Sequence, residues 1–207
     1  GELANKRKNG SVYWEMVKIS PLRDAQNNVT GFLKVSQDSS ERKQYEESLQ
    51  YMGTHDPQTG LFNRAYFDAE LQRVEAGREY PVSIVMADID GLKMVNDTRG
   101  HDEGDLLIKG TAEVLLAAFR SGDVIARIGG DEFAVILPRT DHDTVMSAIQ
   151  RVKACESDRR LGLFARSLSL GVSTAISPDE LVESMKTADR LMYKDKAERK
   201  SQRLQSP

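Results

Sequence analysis

Two short acidic stretches carry the chemistry available to this sequence. Ser83-Ile84-Val85-Met86-Ala87-Asp88-Ile89-Asp90 is an apolar run that ends in carboxylates. Arg127-Ile128-Gly129-Gly130-Asp131-Glu132-Phe133 lies between the apolar runs Val124-Ile125-Ala126 and Phe133-Ala134-Val135-Ile136-Leu137. Two such runs joined by Gly-Gly predict a tight antiparallel hairpin. The glycines permit positive φ and leave bare backbone where a bulky ligand can come close. If the strand ending in acids pairs beside the hairpin, Asp88 and Asp131 converge. Converging carboxylates repel unless a cation lies between them, and hard oxygen ligands suit Mg²⁺. Mg²⁺ held by few protein oxygens normally takes substrate phosphates into its shell, so the pattern indicates a metal–phosphate site. The plainer reading of Asp131 and Glu132 is a pair of solvated turn acids. The equally unusual acidic strand end upstream weakens it.

Gly129-Gly130-Asp131-Glu132-Phe133 resembles the signature of the GGDEF family of diguanylate cyclases. Five further blocks agree in order and spacing. They are His55-Asp56-Pro57-Gln58-Thr59-Gly60-Leu61-Phe62-Asn63-Arg64, Asp88-Ile89-Asp90-Gly91-Leu92-Lys93-Met94-Val95-Asn96-Asp97, Gly100-His101-Asp102-Glu103-Gly104-Asp105, Ser169-Leu170-Gly171-Val172 and Ala188-Asp189-Arg190-Leu191-Met192-Tyr193-Lys194-Asp195-Lys196. Six ordered blocks are far more specific than one five-letter match. The resemblance runs over about residues 53 to 200.

That resemblance implies an enzyme that condenses two GTP into cyclic di-GMP and two pyrophosphates. It implies that Asp88, the backbone carbonyl of Ile89 and Asp131 hold two Mg²⁺ per site, with Mn²⁺ a possible substitute. Asp131 then accepts the proton of the attacking 3′-hydroxyl, Glu132 assists, and Lys93 neutralises charge on the leaving groups. Gly129 and Gly130 lie against the substrate, while Lys196 and Lys200 reach its β- and γ-phosphates. The family often has arginine at the latter position, and its terminal Gly-Arg-Asn-Arg is not intact here, where Glu198-Arg199-Lys200-Ser201 stands. Asn96 and Asp105 read the guanine, whose N1–H and N2–H₂ donors a carboxylate can accept together. His101 either lines the same pocket or braces the Gly100-to-Gly104 turn. Arg120, Asp123 and Arg151 form the product-inhibition site, although an arginine near a helix C-terminus also complements the helix dipole. Gln58 stands where the family usually has leucine, a change expected to touch no catalytic position. The alternative to an active cyclase is a catalytically inactive module that binds GTP or cyclic di-GMP as a receptor. The presence of Asp88, Lys93, Asn96, Asp105 and Asp131 disfavours it.

These residues need a scaffold, and 207 residues suffice for one ordinary domain with an appendage. A formal net charge of -3 argues against a nucleic-acid surface. The one cysteine, Cys155, cannot form an internal disulfide, which fits a reducing, cytoplasmic setting. No apolar run approaches the ~20 residues of a membrane span. Residues 11–19 and 29–36 are predicted as strands joined by the Asn- and Asp-rich turn at 24–28. This stretch resembles the C-terminal end of a PAS sensor domain, on Lys8-Asn9-Gly10-Ser11-Val12-Tyr13-Trp14 and Val29-Thr30-Gly31-Phe32. Asp38-Ser39-Ser40-Glu41 opens a charged helix with Tyr45, Leu49 and Met52 at spacings of four and three. That seam either pairs two chains as a short coiled coil or lies on its own domain, and its position favours pairing.

Three parts follow: a PAS-like fragment at 1–38, a signalling helix at 39–53 and a cyclase domain at 54–207. In the last, helices are predicted over about 61–74, 92–97, 103–119 and 141–155, strands at the two acidic stretches and at 166–175, and a final helix from Ser177-Pro178-Asp179-Glu180. Strands alternating with helices give an α/β class, an α+β sandwich of helices packed on a sheet. The resemblance specifies a ferredoxin-like, palm-type, mostly antiparallel sheet. It also implies a homodimer, because one chain supplies one metal site and one base pocket.

Overall fold

The computed structural model describes residues 1–156 and 168–205. The chain divides into two compact units, Gly1–Met52 and Gly53–Pro207. In the first, β1 (Glu2–Lys6), β2 (Val12–Arg23) and β3 (Val29–Asp38) make an antiparallel sheet in the order β1-β2-β3. The turn between β2 and β3 forms because the Asp24 carboxylate accepts from the amides of Gln26 and Asn28, each at 2.9 Å. Sequence analysis found β2 and β3 but not β1. Glu2-Leu3-Ala4-Asn5-Lys6 contains one large apolar residue, so nothing alternates, and only pairing with β2 makes it a strand. The helix α1 (Ser40–Thr54) follows. The Asp38 carboxylate accepts from the Ser40 amide and from Arg7, and these partners, Ser40 foremost, hold its pKa down at about 2. None of the α1 side chains is buried, and Tyr45, Leu49 and Met52 are exposed.

The second unit contains β4 (Phe62–Asn63), α2 (Arg64–Glu75), β5 (Val82–Ile89), α3 (Leu92–Arg99), α4 (His101–Ala118), β6 (Val124–Arg127), β7 (Glu132–Leu137), α5 (His142–Glu156), β8 (Leu168–Ala175), a 3₁₀ turn at Pro178–Glu180 and α6 (Leu181–Gln205). Its sheet runs β4-β6-β7-β5-β8. The β4–β6 pair is parallel, and the other pairs are antiparallel. The expected mixed α/β, mostly antiparallel palm is therefore present. The helix expected from about 61 starts at Arg64, because Phe62 and Asn63 pair with β6 and the Asn63 side chain caps the helix by accepting from the Tyr66 amide. Residues 166 and 167 of the expected last strand lie outside the described residues.

Every residue of β5 is buried, as expected of a central strand covered on both faces. Alternation divides its side chains between two cores. Val85, Ala87 and Ile89 pack with Leu107 and Leu115 of α4 and Ile149 of α5. Val82, Ile84 and Met86 pack with Phe67 and Val74 of α2 and with Leu181, Ala188 and Met192 of α6. Asp88 shares the parity of the second set, so it emerges on the face covered by α6. At Gly171 of β8, α6 comes very close. A Cβ there would stand 1.9 Å from the Ala188 carbonyl oxygen and 2.3 Å from the Met192 nitrogen. At the sheet edge, the Leu170 amide donates to the Asp195 carboxylate of α6 at 2.9 Å.

Gly171→Ala is accordingly expected to push α6 off the sheet. Backbone atoms cannot rotate aside as a side chain can, so the loss should reach or exceed the usual ~1–3 kcal/mol of overpacking. Urea denaturation of wild type and variant measures it.

Candidate active site

The register of β5 on β7 brings the acids together. Asp88 lies opposite Glu132, and the Ile89 amide donates to the Asp131 carbonyl at 3.0 Å. Sequence analysis expected Asp88 and Asp131 to converge; the register sets Asp88 opposite Glu132, next in sequence to Asp131, whose charge acts on the Asp88 carboxyl. Ile89 is the last residue of β5. The link between β6 and β7 spans Ile128 to Asp131 and is not a two-residue turn. The amides of Ile128 and Gly129 both reach the Glu132 carbonyl, at 3.0 and 3.3 Å. Neither Gly129 nor Gly130 takes the left-handed backbone that the Gly-Gly pair suggested. Gly129 instead leaves room for the end of a neighbouring side chain, since a Cβ there would meet Glu132 Oε2 at 2.7 Å.

Asp88 is almost wholly buried. Its Oδ2 accepts from Lys196 Nζ at 2.7 Å, while its Oδ1 is buried with no hydrogen-bond partner. Lys196 follows Ala188 and Met192 on the α6 stripe that faces the sheet, each one turn further on. Burial pushes the Asp88 carboxyl above its ordinary value, the Lys196 hydrogen bond pulls the other way, and the charges of Asp131 and Asp90 push further up. Burial disfavours the Lys196 ammonium, but the hydrogen bond and charge of Asp88 raise its pKa overall. Asp90 is also buried and accepts from Ser169 Oγ at 2.6 Å, which makes it part of the β8 packing.

An unpartnered buried carboxylate oxygen beside a second carboxylate suits a hard divalent cation. Asp88, the Ile89 carbonyl and Asp131 are the atoms that fit one. Among the described residues no cluster of three His, Cys, Asp or Glu side chains forms a cage. The donor set therefore suits an ion whose remaining ligands come from substrate.

Lys93 lies exposed in the first turn of α3, two residues past Gly91. Asn96 is on the same helix, and its buried Oδ1 has no partner. That side chain rests on Gly104 of α4, where an added Cβ would fall 1.8 Å from Asn96 Oδ1. Gly100, at φ +91°, turns the chain between the two helices. Asp105 is exposed one residue beyond Gly104, and His101 is exposed at the first position of α4. Lys200 is exposed one turn beyond Lys196.

Arg120, Asp123 and Arg151 line one cavity of about 270 Å³ with Thr140, Thr144 and Ser147. The Asp123 carboxylate accepts from the Arg120 amide at 2.8 Å, but burial still pushes its pKa up. Arg151 donates to the Ala118 carbonyl from Nε at 3.1 Å and from Nη2 at 2.7 Å. It closes the end of α4 as well as lining the cavity.

Two residues without an assigned role turn out to organise the site. The Arg127 guanidinium donates to the carbonyls of Gly129 and Gly130 at 3.1 and 2.8 Å, and to Asp56 at 3.2 Å. The Asp56 carboxyl, though penalised by burial, is held below its ordinary pKa by hydrogen bonds from Thr59 and by Arg127. An arginine two residues before a bare Gly-Gly was the available signal. Gln58 touches none of the expected catalytic residues, but it does touch a candidate base-binding one: its Nε2 donates to Asp105 Oδ1 at 2.8 Å, and its Oε1 accepts from Arg127 Nη1 at 2.5 Å. His55 packs against Phe62 with ring centroids 4.8 Å apart.

The second unit thus combines a mostly antiparallel palm sheet flanked by helices with acids at adjacent strand ends. Residues 53–202 match the family described as Diguanylate cyclase, GGDEF domain, and the chain belongs to that family. It is 32% identical over 170 residues to diguanylate cyclase DgcM of Escherichia coli K12, covering 79% of this chain and 41% of that protein. It is 34% identical over 158 residues to DgcS of Shewanella oneidensis, covering 74% and 53%. The chain thus spans about half the length of these relatives. Among solved structures, it resembles the coiled coil and GGDEF domain of DgcB from Caulobacter crescentus in complex with c-di-GMP, with TM-score 0.67 and 31% identity over 76% of this chain and 87% of that one. It also resembles the diguanylate cyclase SiaD from Pseudomonas aeruginosa in complex with its activator SiaC, with TM-score 0.64 and 27% identity over 76% and 64%.

The raised Asp88 pKa has a consequence for stability. Between the ordinary carboxyl pKa and the raised one, the folded protein holds a proton that the unfolded chain has released. The contribution of Asp88 to stability therefore falls as pH rises through that window. Asp88→Asn is expected to be at least as stable as wild type at pH 7, with the margin narrowing as pH falls towards 4. Thermal unfolding across pH 4–7 checks this, and a variant markedly less stable at pH 7 contradicts it.

Proposed function

We propose that this chain is the catalytic part of a Mg²⁺-dependent diguanylate cyclase, acting as a homodimer on two GTP. The convergence of Asp88 and Asp131 at adjacent strand ends, with a buried Asp88 oxygen left unpartnered, carries the reading. Asp88, the Ile89 carbonyl and Asp131 would hold two Mg²⁺ or Mn²⁺. The cation would neutralise phosphate charge and ease deprotonation of the attacking hydroxyl.

Asp131 accepts the 3′-hydroxyl proton of the facing nucleotide, and Glu132 assists beside it. The freed oxygen attacks the α-phosphorus, and the bond to pyrophosphate breaks. Lys93 from α3 and Lys196 and Lys200 from α6 bind the phosphates and stabilise charge on the leaving group. For Lys196 this requires release from Asp88, since its ammonium now occupies one face of that carboxylate. Asn96 and Asp105 bind guanine, with His101 at the pocket rim and Gly129 and Gly130 beneath the nucleotide.

Two phosphodiester links need two attacking hydroxyls, and each chain has one acid pair and one base pocket. Two chains must face each other. The exposed Tyr45, Leu49 and Met52 seam on α1 supports such pairing. In this reading residues 1–38 are the end of a PAS-like sensor, 39–53 a signalling helix and 54–207 the cyclase domain, all cytoplasmic. The cavity bounded by Arg120, Asp123 and Arg151 is proposed as the product-inhibition site, where arginine forks suit the phosphates and guanine faces of cyclic di-GMP.

One assay tests these points: incubation with GTP and Mg²⁺ over a range of protein concentrations, with chromatography of the product. Wild type is expected to yield cyclic di-GMP with specific activity that climbs with concentration and then saturates. Asp131→Asn should lose about 10²–10⁴-fold or more. Product made by that variant at the wild-type rate refutes the assignment. Arg120→Ala should match wild type initially and outrun it late in the progress curve. Coincident late curves would reduce Arg120 to a helix-end residue.

A further inference from the structure

Gln58 is forty-seven residues from Asp105 in sequence, yet its amide bridges that carboxylate to Arg127. The two ends of the amide cannot be exchanged. Arg127 has only donors, so it must face Oε1, and this leaves the Nε2 donors for Asp105. Arg127 is itself fixed by Asp56 and by the carbonyls of Gly129 and Gly130. The amide is therefore anchored at one end, and it fixes one oxygen of an otherwise exposed carboxylate at the other. A leucine at this position could do neither.

We propose that Gln58 is a positioning residue for nucleobase specificity: it holds the Asp105 carboxylate in the orientation that accepts guanine through both oxygens. This rests on the assignment of Asp105 to guanine under the cyclase reading. A carboxylate oxygen accepts more than one hydrogen bond, so the Gln58 bond leaves Oδ1 able to take a base donor. Two-point acceptance from N1–H and N2–H₂ depends on the plane of the carboxylate. One-point acceptance, as from hypoxanthine, depends on it far less. Arg127 keeps its other partners when Gln58 is lost, so the signature loop and the chemical step should be little affected.

The test is steady-state kinetics of wild type, Gln58→Leu and Gln58→Glu with GTP and with inosine triphosphate, which lacks the 2-amino group. Gln58→Leu is expected to raise KM for GTP by about three- to tenfold, the worth of one hydrogen bond. kcat should change much less, and preference for GTP over the inosine nucleotide should narrow. Gln58→Glu keeps the acceptor for Arg127 but loses the donor and sets a like charge beside Asp105. It should raise KM for GTP at least as much. If Gln58 merely braced Arg127, the glutamate variant would behave as wild type and both nucleotides would respond alike, which overturns the proposal. A lowered KM for GTP in Gln58→Leu also overturns it, since the amide would then compete with the base. Failure of wild type to make any cyclic product would remove the cyclase reading and this one with it. An active wild type with unaltered Gln58 variants removes only this one.

Discussion

The structure depends on how a carboxylate can be kept at the end of a fully buried strand. An isolated buried charge costs several kcal/mol, and a single ion pair rarely offsets it. Asp88 is tolerated because β5 has α6 across one face, and α6 delivers Lys196 where the apolar stripe of Ala188 and Met192 runs out. The balance stays unfavourable to the charge, as the raised Asp88 pKa indicates. A site with unsatisfied acidity is one that a cation can stabilise. The close seat of α6 on Gly171 serves the same end, because any lift of the helix moves the lysine from the acid.

A second organising contact lies at the other end of the signature loop. Arg127 draws together the His55-to-Arg64 turn and the carbonyls of Gly129 and Gly130. The loop owes its shape to this guanidinium more than to glycine backbone freedom. At Gly129 the bare backbone leaves room for a Glu132 oxygen. Charge-assisted bonds to two carbonyls and a carboxylate are individually stronger than neutral ones, and here they converge on one largely buried side chain.

How much of this was legible in the sequence follows from the range of each interaction. The acidic strand ends, the central β5 and the helix stripes were readable because period-2 and period-3.6 patterns are local. Pairing of β5 with β7 then followed, and with it the meeting of Asp88 and Asp131. β1 was not readable, since its strand character comes from its partner. The start of α2 was misread by three residues because Phe62 and Asn63 are taken by a parallel bridge to β6. The role of Gln58 was beyond sequence reasoning. It depends on side-chain contacts to two residues far along the chain, and a comparison of residue types records only a lost apolar contact.

In the proposed cyclase reading, the two organising contacts would divide the nucleotide between separate parts of the fold. The phosphate end would fall to α6 and β5, through Lys196 and Asp88. The base end would fall to the α3–α4 pair, where Asn96 rests on Gly104, and to the turn that carries Gln58. Asp131 and its loop neighbour both, through the Ile89 amide on one side and the Arg127-braced glycine carbonyls on the other. Substitutions at the α6 end should therefore act on charge neutralisation and turnover, and those at the Gln58 end on recognition of the base. A substitution at Arg127 should act on both, because its hydrogen bonds reach the glycine carbonyls of the loop and Gln58 together.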